Sequence, residues 1–160
     1  MNLDEFESME REEGWRYELL DGIMVMAPPP TSYHQEIINN ILEELFKVLD
    51  PKQFRPFSET AYKVNESYFI PDLSICYSND TIPVIVFEVL SPSTRIADLV
   101  YKSFLYKKIN TREYWLVDPM GETITVYDFV NSATQIHTNG RDIIKSVALP
   151  EISFTISEVM

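Results

Sequence analysis

The 160-residue sequence predicts a mixed α/β domain built around a central sheet, and three features carry that expectation. Apolar residues recur at helical spacing over 34–49 and again over 95–109. The period changes to two between 54 and 77. Residues 84–90 are almost continuously apolar, as in a strand covered on both faces. Helices and strands are mixed behind a hairpin-rich front end, which suits an α/β or α+β sandwich. No internal repeat or low-complexity linker divides the chain, so 1–160 is expected to form one domain.

The elements follow in order. The acidic stretch 4–13, with Phe6 and Met9 three apart, reads as a short, partly exposed helix. Residues 16–20 and 23–26 are apolar runs around Asp21-Gly22, a pair that two-residue hairpin turns favour because both central positions need positive φ. Pro28-Pro29-Pro30 ends the hairpin, and Thr31 or Ser32 can cap the helix that follows. In that helix Ile37, Ile38, Ile41, Leu42, Leu45 and Leu49 line one face. After Asp50-Pro51, 54–57 and 60–64 read as short strands and 69–77 as one longer strand. Ser91-Pro92-Ser93-Thr94 stops the central strand and caps the second helix, 95–109. Strands at 113–117 and 123–129 flank Asp118-Pro119-Met120-Gly121, and 135–137, 143–148 and 152–156 read as strand or irregular structure.

Composition removes several function classes. Lys plus Arg is 13 and Asp plus Glu is 25, a net charge of −12, which opposes bulk electrostatic coating of DNA. The single Cys76 excludes an internal disulfide or a cysteine-clustered zinc site, and two histidines exclude a multi-histidine metal site. No apolar run approaches the ~20 residues of a membrane span, and the acidic start is unlike a signal or transit peptide. A soluble, reduced, cytoplasmic protein without a membrane partner is expected. Charge is segregated, however. Arg95, Lys102, Lys107, Lys108 and Arg112 make up five of the 13 basic residues, whereas residues 1–22 hold eight acids and two bases.

Two acids sit where a purely structural role is hard to supply. Glu88 interrupts the apolar central strand, and a buried unpaired carboxylate costs several kcal/mol, so it must be protonated, paired or bound to a cation. Asp72 lies inside the strand 69–77, just after Pro71. If the two strands are neighbours, the acids converge as a hard divalent cation such as Mg²⁺ requires; otherwise they are solvated or salt-bridged strand-end acids. On the second helix Asp98, Leu99, Lys102, Leu105, Tyr106 and Ile109 share one face, so Lys102 lies along an apolar stripe. It can be the counter-charge for both acids or orient an attacking water, or it snorkels or pairs with Asp98.

The string Pro71-Asp72-Leu73, then Phe87-Glu88-Val89-Leu90-Ser91-Pro92-Ser93-Thr94-Arg95, then Asp98, Lys102, Tyr106 and Arg112-Glu113-Tyr114-Trp115-Leu116-Val117-Asp118-Pro119 resembles the Uma-two-type family of bacterial restriction endonucleases. That family belongs to the PD-(D/E)XK nuclease superfamily. Tyr17-Glu18-Leu19-Leu20-Asp21-Gly22 and Ser32-Tyr33-His34 are similar to its N-terminal pattern, so the resemblance runs from about Tyr17 to the C-terminus. It implies a restriction-endonuclease-like fold, α/β with a mixed central sheet flanked by helices, and a metal-dependent phosphodiesterase site. Asp72 and Glu88 match the two motif acids. The usual lysine two residues on is Leu90 here, and similar proteins move it to the following helix, which matches Lys102. Glu18 matches an N-terminal acid, and His34 sits in the first-helix motif.

The expected function is Mg²⁺-dependent hydrolysis of DNA, with Mn²⁺ able to substitute. Asp72, Glu88 and the Val89 carbonyl would hold the cation, and Lys102, Glu18 and His34 would join them in the site. A homodimer would supply the two sites that cutting a duplex needs. DNA binding is expected to be weak outside the basic segment. The alternative is a catalytically silent domain serving as an interaction module, which the net charge of −12 favours. Cys76 and His137 form no evident nucleophilic pair, Lys63 is a second candidate lysine but reads rather as an exposed strand residue, and Tyr114 and Trp115 read as core aromatics. His34 either binds phosphate or pairs with Glu18, or packs against the hairpin. Two repelling acids further suggest that Asp72→Asn stabilises the metal-free protein by ~1 kcal/mol.

Overall fold

In the computed structural model the described residues are 1–93 and 96–160, with only the backbone at 97 and 98. The cap expected at Thr94, the base Arg95 and the Asp98 side chain therefore lie outside them. Helix α1 (Leu3–Ser8) is capped by Asn2, whose side chain accepts from Glu5 N at 2.8 Å. It is shorter than the acidic stretch suggested, because continuing it would place Glu10, Glu12 and Glu13 at the negative end of the helix dipole. Asp21 and Gly22 have φ of 51° and 83°, as the hairpin of β1 (Arg16–Leu20) and β2 (Ile23–Ala27) demands. Helix α2 (Ser32–Val48) is capped by Thr31, whose hydroxyl accepts from His34 N at 3.2 Å.

The expected strand 69–77 is two strands. After β3 (Phe54–Ser58) and β4 (Tyr62–Val64), β5 (Ser67–Phe69) joins a four-stranded sheet of order β2-β1-β5-β4. Strand β6 (Leu73–Tyr77) belongs to a different sheet, and Ile70-Pro71-Asp72 crosses between the two. Pro71 has no N–H to continue a ladder. The neighbouring main-chain groups are met by acids: Ile70 N donates to Glu18 Oε1 at 2.7 Å, and Val89 N donates to Asp72 Oδ2 at 2.8 Å. Asp72 thus sits on the crossing and not within a strand.

Strand β7 (Pro83–Val89), buried at every position, is central in the six-stranded sheet. It pairs antiparallel with β6 and parallel with β8 (Glu113–Asp118), and α3 (Ile96–Lys108) makes the parallel crossover. With β9 (Thr123–Asp128) and β10 (Ala133–His137) the order is β10-β9-β8-β7-β6-β3. One outer strand, β3, carries Pro56; the other, β10, is exposed from Ala133 to Ile136. A two-stranded ribbon, β11 (Ile143–Lys145) with β12 (Ser153–Thr155), leads into α4 (Ile156–Val159). That last turn replaces part of the strand expected at 152–156; Glu158 accepts from Thr155 N at 2.7 Å in a capping box.

The alternation of β7 divides the core. Ile85, Phe87 and Val89 pack with Ile37, Ile41 and Leu45 of α2 on one face of the large sheet. Val86 on the other face meets Leu105 and Tyr106 of α3, with Leu20 and Phe69 of the small sheet. Glu88 shares that second face, which is how a strand carboxylate comes to point at α3 and β1. Among the described residues no helix is long and apolar enough to cross a membrane.

Glu113, fully buried at the start of β8, ties the C-terminal segment to the sheet. Its carboxylate accepts from Trp115 Nε1 (2.9 Å), Ser146 Oγ (2.8 Å), Val147 N (2.6 Å) and Ala148 N (2.8 Å). Glu113→Gln keeps the volume but sets an amide NH₂ against donors, so urea unfolding is expected to show a loss of about 2 kcal/mol. An unchanged midpoint would mean that water replaces these bonds freely.

Candidate active site

Pairing of Leu73 with Phe87 brings Asp72 and Glu88, each one residue further along, to the same end of neighbouring strands. The Asp72 carboxylate is 1% exposed and has distinct partners on its two oxygens. Oδ2 accepts from Val89 N (2.8 Å) and His34 Nε2 (3.2 Å), while Oδ1 accepts from Arg16 Nη1 at 3.0 Å. His34 Nε2 also lies 3.0 Å from Val89 O; both neighbours are acceptors, so Nε2 carries the proton. Among the described residues Nδ1 of His34 is buried without a partner.

Glu88 Oε1 accepts from Lys102 Nζ at 3.0 Å and from the Tyr106 hydroxyl. Lys102 Nζ also stands 3.1 Å from Glu18 Oε2, so this lysine bridges two buried acids. A cavity of about 290 Å³ opens onto the group, and its lining includes Pro28-Pro29-Pro30, Pro92 and Leu99.

Asp72, Glu88, Lys102, Glu18, His34 and the Val89 carbonyl are therefore all brought together. His34 bonds Asp72 and Val89, not Glu18. Lys63 pairs with Glu7 at the surface, and Cys76 is buried beside the Tyr62 hydroxyl (3.4 Å), away from His137 on the outer strand β10. Tyr114 and Trp115 are core aromatics. Lys107 and Lys108 are exposed in the last turn of α3. Sequence reasoning misses Arg16, although it stands two before Glu18 on one strand and so shares its face. Tyr106, four after Lys102, is reached as part of an apolar stripe and of the family-like string, without a role in the site.

The electrostatics separate the two strand acids. Burial works to raise Asp72, yet the His34 hydrogen bond and the Arg16 charge hold it well below the usual carboxylate range. Burial pushes Glu88 up to about 7; Lys102 opposes this, and the charges of Asp72 and Glu18 add to it. Burial also opposes protonation of Lys102, but Glu88, Glu18 and Asp72 outweigh it and raise its pKa. For His34, burial is likewise overcome by the hydrogen bond and charge of Asp72 and by the Val89 carbonyl, so its pKa is raised above 6.5.

A pH dependence follows. Glu88 holds its proton more tightly folded than at its ordinary 4.5, so its contribution to stability is complete below 4.5 and is lost as pH rises toward 7. The His34 contribution is full below 6.5 and fades as pH rises through its raised folded value. Wild-type stability is expected to fall between about pH 5 and about pH 8, and the fall in Glu88→Gln should be shallower. Urea unfolding across that range checks this; parallel curves would remove Glu88 as the source.

The donor chemistry suits a hard divalent cation. Three carboxylates, of Glu18, Asp72 and Glu88, line one cavity with Val89, and both bonds described for Glu88 fall on Oε1, away from Oε2. Among the described residues no three of His, Cys, Asp and Glu are grouped to hold a metal by themselves. The set fits a cation that keeps part of its shell as water and phosphate oxygen, as Mg²⁺ does.

Comparison with known proteins supplies two findings. The family described as Uma2, putative restriction endonuclease, matches residues 3–157. A crystal structure of a putative nuclease belonging to DUF820 from Anabaena variabilis is similar with a TM-score of 0.86 at 20% identity, covering 99% of this chain and 97% of that one. The shared architecture is the restriction-endonuclease-like fold, a mixed sheet with helices. Among curated proteins no relative matches.

Proposed function

The chain belongs to the Uma2 family of putative restriction endonucleases, and from that premise we propose that it is a divalent-cation-dependent endonuclease hydrolysing DNA phosphodiester bonds. The observation that carries this reading is the meeting of Asp72, Glu88 and Lys102 at one cavity, from three separate elements. Asp72, Glu88 and the Val89 carbonyl would hold Mg²⁺ or Mn²⁺. Bound there, the cation supplies a Lewis acid for the scissile phosphate and lowers the pKa of a water.

The chain's own residues do the rest. Lys102 presents a fixed positive charge to the attacking water and to the charge that builds on the phosphate. Glu18 and Glu88 anchor that ammonium, and Tyr106 anchors Glu88. His34 holds Asp72 and the Val89 carbonyl in place through one N–H. Products with a 5′-phosphate and a 3′-hydroxyl are expected, and a second copy of the chain would serve the second strand of a duplex.

One observation favours a second reading, a catalytically silent interaction module: every acid of the group already has a protein partner. Nicking of a supercoiled plasmid separates the two. The wild type is expected to nick in Mg²⁺ or Mn²⁺ and not in chelator, and Glu88→Gln to be inactive in both. Equal nicking by wild type and Glu88→Gln would rule out this site, and no nicking in either cation would favour the module.

A further inference from the structure

We propose that Arg16 is a positioning residue that couples cation loading to phosphate binding, holding Asp72 Oδ1 while the site is bare and moving to a phosphate oxygen when a cation takes that place. The inference rests on the reading that this site holds a divalent cation. Its ground is the unequal use of the two Asp72 oxygens. Oδ2 is committed to the main chain of β7 through Val89 N, a donor that cannot leave without opening the strand end. Among the described residues Oδ1 accepts only from Arg16, a long side chain that is 22% exposed and lines the cavity. A cation approaching Asp72 from the cavity thus competes with the Arg16 guanidinium for Oδ1.

The charge around the cavity gives the competition its force. Asp72, Glu88 and Glu18 face Arg16 and Lys102, with the His34 N–H on Asp72. Lys102 is held by two acids in the interior. Arg16 is paired with one acid among the described residues and is more exposed, so Arg16 is the member that a cation displaces more readily. A doubly charged ion and a guanidinium repel each other across one carboxylate oxygen, and the displaced guanidinium needs an anion. Its planar fork matches two phosphate oxygens, and its Nε is buried without a partner among the described residues, one donor turned toward no acceptor there. Phosphate drawing Arg16 away frees Oδ1 for the cation, and the cation pushing Arg16 away offers it to phosphate. The two ligands then strengthen each other's binding by the same factor.

Isothermal calorimetry with Mg²⁺ alone, and again with Mn²⁺ alone, reads the competition without any turnover. Arg16→Met removes the competitor and should bind the cation at least ~10-fold more tightly than wild type. Arg16→Lys, which keeps a charge near Oδ1 and guards against misfolding of the first variant, should stay within about three-fold of wild type. In nicking assays Arg16→Met should need less cation for half-maximal rate while its maximal rate falls. An arginine that only braces the fold would leave cation affinity unchanged or lower it. Wild type binding a cation while Arg16→Met binds no more tightly overturns the role of Arg16 and leaves the cation reading standing. Absence of binding to wild type overturns both.

Discussion

Replacing Lys102 by Met is expected to lower folding stability by about 4 kcal/mol and nicking activity by at least ~10³-fold. Lys102 Nζ is the shared partner of Glu18 and Glu88, 3.1 Å and 3.0 Å away, and all three residues are buried. Methionine fills the volume but leaves two acids facing each other with one hydroxyl, from Tyr106, between Glu88 and solvent-free surroundings. Because Glu88 takes up a proton near pH 7, the loss should shrink in acid and grow in alkali. A double variant, Lys102→Met with Glu88→Gln, removes one of the stranded charges and should regain about half the stability while staying inactive. Urea unfolding and plasmid nicking on the same preparations check both halves. Lost stability with full nicking activity would make Lys102 a counter-charge only.

Asp72→Asn is expected to destabilise the metal-free protein by about 3 kcal/mol, the opposite sign from the gain of ~1 kcal/mol that two repelling acids suggest. The sequence shows the acids but not the company they keep. Arg16, His34 and Val89 N all point at Asp72, so the carboxylate is held ionised and the proton goes to Glu88 instead. Asparagine can still accept from Val89 N, but Arg16 is left without its anion in a largely buried place. The wild-type advantage is present above 3.8 and is lost as pH falls through the depressed folded value. The same variant should lose the stabilisation that Mg²⁺ gives the wild type. Unfolding in chelator and in excess Mg²⁺ provides the measurement. An Asp72→Asn protein more stable than wild type in chelator would mean that Arg16 and His34 do not act on Asp72 in solution.

The legible parts of the fold were those written in local pattern. Asp21-Gly22 specifies a hairpin turn by its φ preferences, the α2 stripe specifies a helix by its period, and 84–90 specifies a strand buried on both faces. Glu88 and Lys102 stand out because each breaks such a pattern with a charge. What local pattern hides is pairing at a distance. Apolar alternation continues through Phe69, Pro71 and Leu73, so the crossing from one sheet to another has only a proline to mark it. Arg16 meets Asp72 across 56 positions, and no periodicity within β1 points there. The turn of α4 is four residues long, too short for any period, and only Thr155 and Glu158 announce it.

Pro56 leaves the six-stranded sheet with one open flank. A strand arriving from another molecule needs an unbroken row of N–H and C=O groups, which β10 offers and the proline-interrupted β3 does not. Lateral growth through this sheet would therefore stop after a single addition. Two molecules aligned antiparallel through β10 would turn only their β3 flanks outward, and neither flank templates a third. The inequality of the two flanks limits a fibril-forming geometry built on this sheet to, at most, a closed pair.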